Sequence, residues 1–118
     1  KPFMVFGTPG GDQQDQWSTL MFLHHADHKM NLQESIDCPA FHTDHFPSSF
    51  WPRAYQSKKV VLEGRFPDST ISELKRRGHY IEIGEPWSEG RLTAASSDGS
   101  TLKAAANARG MQGYAAGR

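Results

Sequence analysis

Five residues, Gly7-Thr8-Pro9-Gly10-Gly11, follow a short apolar run, Phe3-Met4-Val5-Phe6, and precede a helical pattern that begins at Asp12. The order strand, glycine turn, helix constrains the chain more than any other feature, because it sets where the backbone reverses and where N–H groups are left over. The first N–H groups of a helix have no partner inside it, and the helix dipole adds partial positive charge at that end. Glycines there let a ligand approach the backbone with no side chain in the way. Such a turn binds a phosphate, holds a carboxylate or stabilises the oxyanion of a tetrahedral intermediate. The turn alone leaves these three open.

At 118 residues the chain is long enough for one domain, or part of one, with a modest core. Thirteen basic and thirteen acidic residues cancel, so there is no electrostatic footprint for nucleic acid or an anionic membrane surface. The apolar runs are too short to span a bilayer, and no signal-peptide pattern is present. The single cysteine, Cys38, excludes an internal disulfide framework and leaves the redox compartment open. Lys1 is not an initiator methionine and the chain enters an apolar strand almost at once, so a fragment or a product of processing is expected.

Residues 2–7 read as a buried strand. From residue 12 to about 28, Trp17, Leu20, Met21 and His24 recur at helical spacing, with Asp12 as the expected N-cap and Asp15 in the first turn. A second helix starts at Asn31, where Asn31 and Glu34 have capping-box spacing, and stops before Pro39. Residues 41–54 set Phe41, Phe46, Phe50 and Trp51 among prolines and serines, which predicts a packed loop or broken strand. Val60 to Glu63 reads as a strand, and Ser69 is the expected cap of a helix with Ile71 and Leu74 on its apolar face. Lys75, Arg76 and Arg77 suit the C-terminal end of that helix and Gly78 its terminus. Residues 79–83 predict a half-buried strand, and 91–96 and 101–106 flank the hairpin signal Ser97-Asp98-Gly99-Ser100. The tail from residue 107 has no clear periodicity. The sum is an α+β chain.

Three features carry candidate chemistry. The first is the glycine turn. The second is histidine: His24, His25 and His28 form an H-H-x-x-H cluster in which His24 and His28 lie one helical turn apart, a spacing that presents two imidazoles to one metal ion. His42 and His45, with Asp44 between them, are further candidate ligands, but a glutamate base and a spaced cysteine are missing, which favours a polar helix end. The third is nucleophilic catalysis. Cys38 sits at a helix end, where the dipole raises a thiol pKa, and reads as a small buried residue. Ser48 and Ser49 read as turn formers or substrate contacts, and Arg53, Arg65 and Arg91 as solvated surface charges or carboxylate partners. No serine or threonine has a recognisable base at a telling spacing, so the chain reads as part of a site without its nucleophile.

Longer blocks carry a family likeness. The run Lys1-Pro2-Phe3-Met4-Val5-Phe6-Gly7-Thr8-Pro9-Gly10-Gly11 closely resembles a segment of the γ-glutamyltransferases, the γ-glutamyltranspeptidase family. So does Met30-Asn31-Leu32-Gln33-Glu34-Ser35-Ile36-Asp37-Cys38-Pro39-Ala40-Phe41-His42. Leu74-Lys75-Arg76-Arg77-Gly78-His79 and residues 94–98 resemble the family's closing helix, strand and hairpin in order. The resemblance covers essentially the whole chain and places residues 1–118 as a C-terminal fragment of the family's small subunit, a single domain.

The resemblance implies a partial N-terminal nucleophile hydrolase fold: the C-terminal portion of an αββα sandwich, with a mostly antiparallel sheet and flanking helices. It implies a γ-glutamyltransferase or γ-glutamyl hydrolase, without cofactor, whose nucleophile is a threonine freed by autocatalytic cleavage, its own amine acting as base. That threonine attacks the γ-glutamyl carbonyl of glutathione or a related amide, and water or an amine or peptide acceptor resolves the acyl-enzyme. The family's paired glycines donate N–H groups to the oxyanion, which assigns Gly10 and Gly11 as the catalytic residues in this chain. The threonine and most substrate-gripping residues lie upstream in the family, so the isolated chain is expected to be inactive, with the rest of the small subunit and the large subunit as partners. The family points to a periplasmic or secreted setting, with a cytoplasmic one left open. Asp12 departs from the small hydroxyl residue common after the glycine pair, and a carboxylate there disfavours an oxyanion unless it turns away to cap the helix. Residues 13–17 and the tail 109–114 mark a divergent branch, whose acyl donor need not be glutathione. The alternatives from other classes are a non-catalytic homologue and a histidine-based metal-binding module.

Overall fold

A computed structural model describes residues 3–109 and 113–117; Lys1, Pro2, residues 110–112 and Arg118 lie outside the described residues. The chain runs β1 (Met4–Gly7), α1 (Gln13–Ala26), α2 (Leu32–Asp37), β2 (Phe41–Thr43), β3 (Lys59–Leu62), α3 (Asp68–Arg76), β4 (Tyr80–Ile83), β5 (Thr93–Ser97) and β6 (Leu102–Ala106). It divides into two compact units, residues 1–38 with 90–118, and residues 39–89.

In the first unit β1, β5 and β6 form an antiparallel sheet in the order β1-β5-β6. Side chains alternate across a strand, so the register decides which residues share a face. Phe6 pairs with Ala94 and Ala94 with Ala105. This row joins Met21 of α1, Leu32 and Ile36 of α2, and Leu92 in one core, with Met4 and Trp17 packed against it. The opposite row, Val5, Ala95 and Ala104, stays open, with Val5 70% exposed. Helices therefore cover one face of the sheet only.

The local signals for α2 and the hairpin act as expected. Asn31 accepts from the Glu34 N–H and Glu34 accepts from the Asn31 N–H, both at 2.9 Å, completing the capping box. Between β5 and β6, Asp98 Oδ1 accepts from the Ser100 and Thr101 N–H groups at 2.9 and 2.8 Å and from the Ser100 hydroxyl. The two backbone donors, above all, hold the Asp98 carboxyl down at about 2 against its ordinary 3.8. A depressed folded-state pKa stabilises above the ordinary value and loses that stabilisation as pH falls through the folded one. The Ser100 and Thr101 amides are thus expected to lose hydrogen-exchange protection between about pH 4 and pH 2, and Asp98→Ala to remove this pH step.

In the second unit the order is β2-β3-β4, with β2 and β3 antiparallel and β3 and β4 parallel. Parallel neighbours need a crossover, and α3 supplies it. The helix begins at Asp68 after Pro67, whose extended conformation (φ −62°, ψ 143°) occupies the N-cap position. Ser69, the expected cap, instead lies inside the helix, because proline pre-sets the entry conformation and Asp68 then meets the dipole. At the other end Gly78 (φ +90°) closes a Schellman motif: its N–H bonds Lys75 O, and the His79 N–H bonds Leu74 O. Val61, Leu62 and Ile71 are buried.

Of the two expectations for residues 41–54, packed loop or broken strand, the structure shows a strand that breaks off after Thr43. Phe41 belongs to β2, while Phe46, Phe50 and Trp51 are 74, 63 and 89% exposed. Beyond Thr43 the backbone follows no regular ladder, with turns at Ser48 and Phe50, so no strand period directs the rings to one face. Among the described residues, four strand pairs, three of them antiparallel, and three helices make this α+β architecture.

Candidate active site

The glycine turn leaves the end of β1 and delivers the chain into α1. Gly10 has φ +135° and Gly11 φ +60°, conformations open to glycine and strained for other residues. Their carbonyls accept from the Gln13 and Gln14 N–H groups at 3.4 and 3.1 Å, which starts the helix. Gly10 also lies directly on the Trp17 ring: a Cβ added there would stand 2.4 Å from Trp17 Cζ3. The same ring lies in ordinary contact distance, 3.6 Å, of where a Cβ on Gly90 would be, so it is Gly10 that leaves room for the indole. Trp17 in turn packs against the core cluster that includes Met21, Leu32 and Ile36, which anchors the turn to the core.

No described residue accepts from the Gly10 N–H. The Gly11 N–H meets the side chain of Gln14. With its amide turned oxygen-inward, Gln14 accepts from that N–H at 3.1 Å and donates to Thr8 O at 3.3 Å. An amide oxygen thus stands on the Gly11 N–H. Asp12 sits at the N-cap position but makes no capping hydrogen bond, contrary to the sequence expectation. Its conformation is helical (φ −65°, ψ −19°), whereas a capping carboxylate needs an extended backbone to fold back onto the first-turn N–H groups. The Thr8 hydroxyl donates to Pro9 O at 2.8 Å and accepts from the Arg91 N–H at 3.1 Å, tying the turn to the segment that enters β5.

The other sequence candidates fall elsewhere. The His24 and His28 rings are 6.0 Å apart edge to face, and His25 Nδ1 lies 2.8 Å from Met30 O. In the second unit His42 lies between Glu89 and Asp44, and His45 Nδ1 accepts from the Lys58 N–H. Among the described residues no three histidine, cysteine or acidic side chains gather in metal-binding geometry. Cys38 is half-buried with Sγ 3.4 Å from Met30 Sδ, and Ser48 Oγ accepts from the Phe50 N–H as a turn former.

Of its two sequence readings, solvated charge or carboxylate partner, Arg65 takes the second. It lies 2.7 Å from Glu63, a fully buried carboxylate, and its guanidinium stacks 3.4 Å from the Trp87 ring centre. Glu63 also accepts from the Ala40 and Glu89 N–H groups at 3.1 and 3.0 Å. Such a charge is tolerated inside only because each oxygen is partnered.

Two buried residues escaped the sequence reading. Arg109, 2% exposed, donates to Ile36 O and Cys38 O at 2.7 and 2.9 Å, satisfying carbonyls at the end of α2 that no helical N–H can reach. Asn107, 5% exposed, bonds Leu92 O through its main chain. The only signal for either was the polar pattern Asn-x-Arg after an alanine-rich strand.

Comparison with known proteins places this arrangement. The family model for γ-glutamyltranspeptidase matches residues 1–117. The glutathione hydrolase-like YwrD proenzyme of Bacillus subtilis (strain 168) is 35% identical over 83 residues, 70% of this chain and 15% of that protein. The oxamate amidohydrolase proenzyme of Klebsiella pneumoniae is 35% identical over 86 residues, 73% of this chain and 15% of that protein. The chain therefore spans about 15% of the length of these curated relatives. Among solved structures, LmbA2991HD superposes with TM-score 0.92 at 52% identity, covering 99% of this chain and 21% of that one. The γ-glutamyltranspeptidase of Pseudomonas nitroreducens complexed with L-DON superposes with TM-score 0.76 at 19% identity, covering 98% of this chain and 56% of that one. That likeness shows the fold: the α+β elements superpose on a portion of a γ-glutamyltranspeptidase structure. With one family model running from residue 1 to 117 and the strand, glycine turn and helix in place, this chain belongs to the γ-glutamyltranspeptidase family.

Proposed function

We propose that the chain supplies the oxyanion hole of an amide-cleaving acyl-transfer enzyme, with the main-chain N–H groups of Gly10 and Gly11 as donors. The observation that carries this reading is the contact already made at the turn. With its amide turned oxygen-inward, Gln14 sets an amide oxygen 3.1 Å from the Gly11 N–H, as a reacting carbonyl oxygen would be, while no described residue accepts from the neighbouring Gly10 N–H. A tetrahedral intermediate bears more negative charge on that oxygen than the ground state, so preorganised N–H donors favour it over bound substrate. The nucleophile is a threonine from a segment outside this chain, its free amine taking the hydroxyl proton as it attacks the γ-glutamyl carbonyl of glutathione or a related amide. The amine departs, the acyl-threonine remains, and water or an acceptor amine releases the γ-glutamyl group. Gln14 must swing out when substrate enters, and its exposed position on the first helical turn leaves it room to do so. The remaining small-subunit residues and a large subunit complete the site.

The test is release of a chromogenic amine from a γ-glutamyl anilide. The full protein is expected to turn it over and the isolated chain to show no activity. Turnover by the isolated chain, or a full protein inert towards every γ-glutamyl amide, sinks the reading.

A further inference from the structure

The side chain that reaches the glycine turn belongs to the chemical class the proposed reaction consumes. Glutamine ends in the γ-carboxamide of glutamate. With that amide turned oxygen-inward, Gln14 sets its oxygen 3.1 Å from the Gly11 N–H and its nitrogen 3.3 Å from Thr8 O. We infer that Gln14 is an internal pseudo-substrate, which covers the oxyanion hole of the resting protein and which every γ-glutamyl amide must displace. The inference rests on the oxyanion role proposed for Gly10 and Gly11 and adds to it a residue that competes with substrate.

Three observations carry it. The first is that both ends of the carboxamide are engaged: its oxygen accepts from the Gly11 N–H and its NH₂ donates to the Thr8 carbonyl. The second is that the turn holds both partners in place. The Gln14 N–H donates to Gly11 O at 3.1 Å while the Gly11 N–H donates to the Gln14 side chain, so the two residues are joined twice, in the reciprocal manner of a capping box. Thr8 is tied by its hydroxyl, which donates to Pro9 O at 2.8 Å and accepts from the Arg91 N–H at 3.1 Å. The third is exposure. Gly10, Gly11 and Gln14 all face solvent, so the side chain can rotate into water without giving up buried surface, and the N–H it uncovers is open to a ligand.

A neutral amide is a weak competitor. Its oxygen carries only partial charge, whereas the oxygen of a tetrahedral intermediate is anionic and draws about twice as much from the same donors. Two exposed neutral hydrogen bonds, less the ordering of one glutamine side chain, leave a covered-to-open ratio between about 1 and 10. Apparent substrate affinity falls with the fraction of molecules whose hole is open, and the chemical step on bound substrate is unaffected. Gln14 is therefore a specificity device: it sets a threshold that a weakly bound amide fails to cross.

The experiment is steady-state kinetics of the full protein on a γ-glutamyl anilide, compared with Gln14→Ala and Gln14→Met. Both replacements favour helix and neither carries an amide, so α1 keeps its first turn. Both are expected to raise kcat/KM by about two- to tenfold through KM, with kcat within about twofold of the parent. Hydrogen exchange at the Gly11 amide, read without substrate, is expected to quicken by a similar factor in both. A side chain that only caps the helix would instead lower kcat, or leave kcat/KM unchanged, on losing its amide. No rise in kcat/KM in either variant, or unchanged Gly11 exchange in both, overturns the inference. In a parent protein that cleaves the anilide, that result refutes the role of Gln14 alone and leaves the oxyanion assignment standing. A parent inert towards every γ-glutamyl amide refutes the proposed reaction and this role with it; slow Gly11 exchange would then mark Gln14 as a helix cap.

Discussion

Gly10→Ala in the full protein is expected to lower kcat for γ-glutamyl anilide cleavage by about 10²–10³, the usual cost of losing one oxyanion donor. Two independent obstacles act at this position. Its φ of +135° lies where an L side chain strains the backbone, and the added methyl would stand 2.4 Å from Trp17 Cζ3. Trp17 cannot yield cheaply, since it packs against the core around Met21, Leu32 and Leu92. The turn must move instead, and it carries the Gly10 and Gly11 N–H groups with it. Displacement by about an ångström is enough to remove most of a preorganised contact. Gly7→Ala is the matched control: a Cβ there meets nothing within 4 Å, so near-normal kcat is expected. Initial rates on folded protein, with melting temperature recorded for both variants, decide the matter. A Gly10→Ala enzyme within a few-fold of the parent removes the oxyanion assignment.

The second large effect belongs to stability. Glu63→Leu is expected to destabilise the unit of residues 39–89 by about 3–5 kcal/mol, the range for breaking a buried charged network from one side. The Glu63 side chain is 0% exposed and partners the Ala40 N–H, the Glu89 N–H and Arg65 at once. Leucine would leave two buried N–H groups unsatisfied and a guanidinium without its anion. Arg65 also stacks on Trp87, so its release is expected to change the Trp87 environment. Hydrogen exchange at the Ala40 and Glu89 amides reads the local loss. Protection within about tenfold of the parent, equivalent to under 1.4 kcal/mol, would show that the network contributes little.

Much of the scaffold was legible because its signals are local. The Asn31–Glu34 box, the Gly78 terminus and the Asp98 turn each join groups no more than five residues apart. Trp17 and Met21 were readable from helical spacing, and the glycine turn from its place between strand and helix. The specific blocks around Gly10 and Asn31 carried the family.

The failures have one physical cause. Asp12 was assigned a cap by residue type, but whether a carboxylate caps depends on its backbone angles, which here are helical. Arg65 was read as a solvated charge or a carboxylate partner, and only the packing that buries Glu63 decides for the second. Trp51 and Phe50 were read as packed because they are aromatic, yet the irregular backbone leaves them outside.

By itself, then, the sequence determined the order of elements, the Asn31 cap, the Asp98 turn, the family and the place of a glycine turn between strand and helix. Tertiary structure alone decided what surrounds that turn. It brought Trp17 under Gly10 and gave Ile36 and Cys38 their carbonyl partner in Arg109, 73 and 71 residues away. Caps and turns are closed by hydrogen bonds within one or two turns of chain and so leave a local pattern. Contacts across some seventy residues leave none, because many packings satisfy the same local rules and only the buried surface chooses between them.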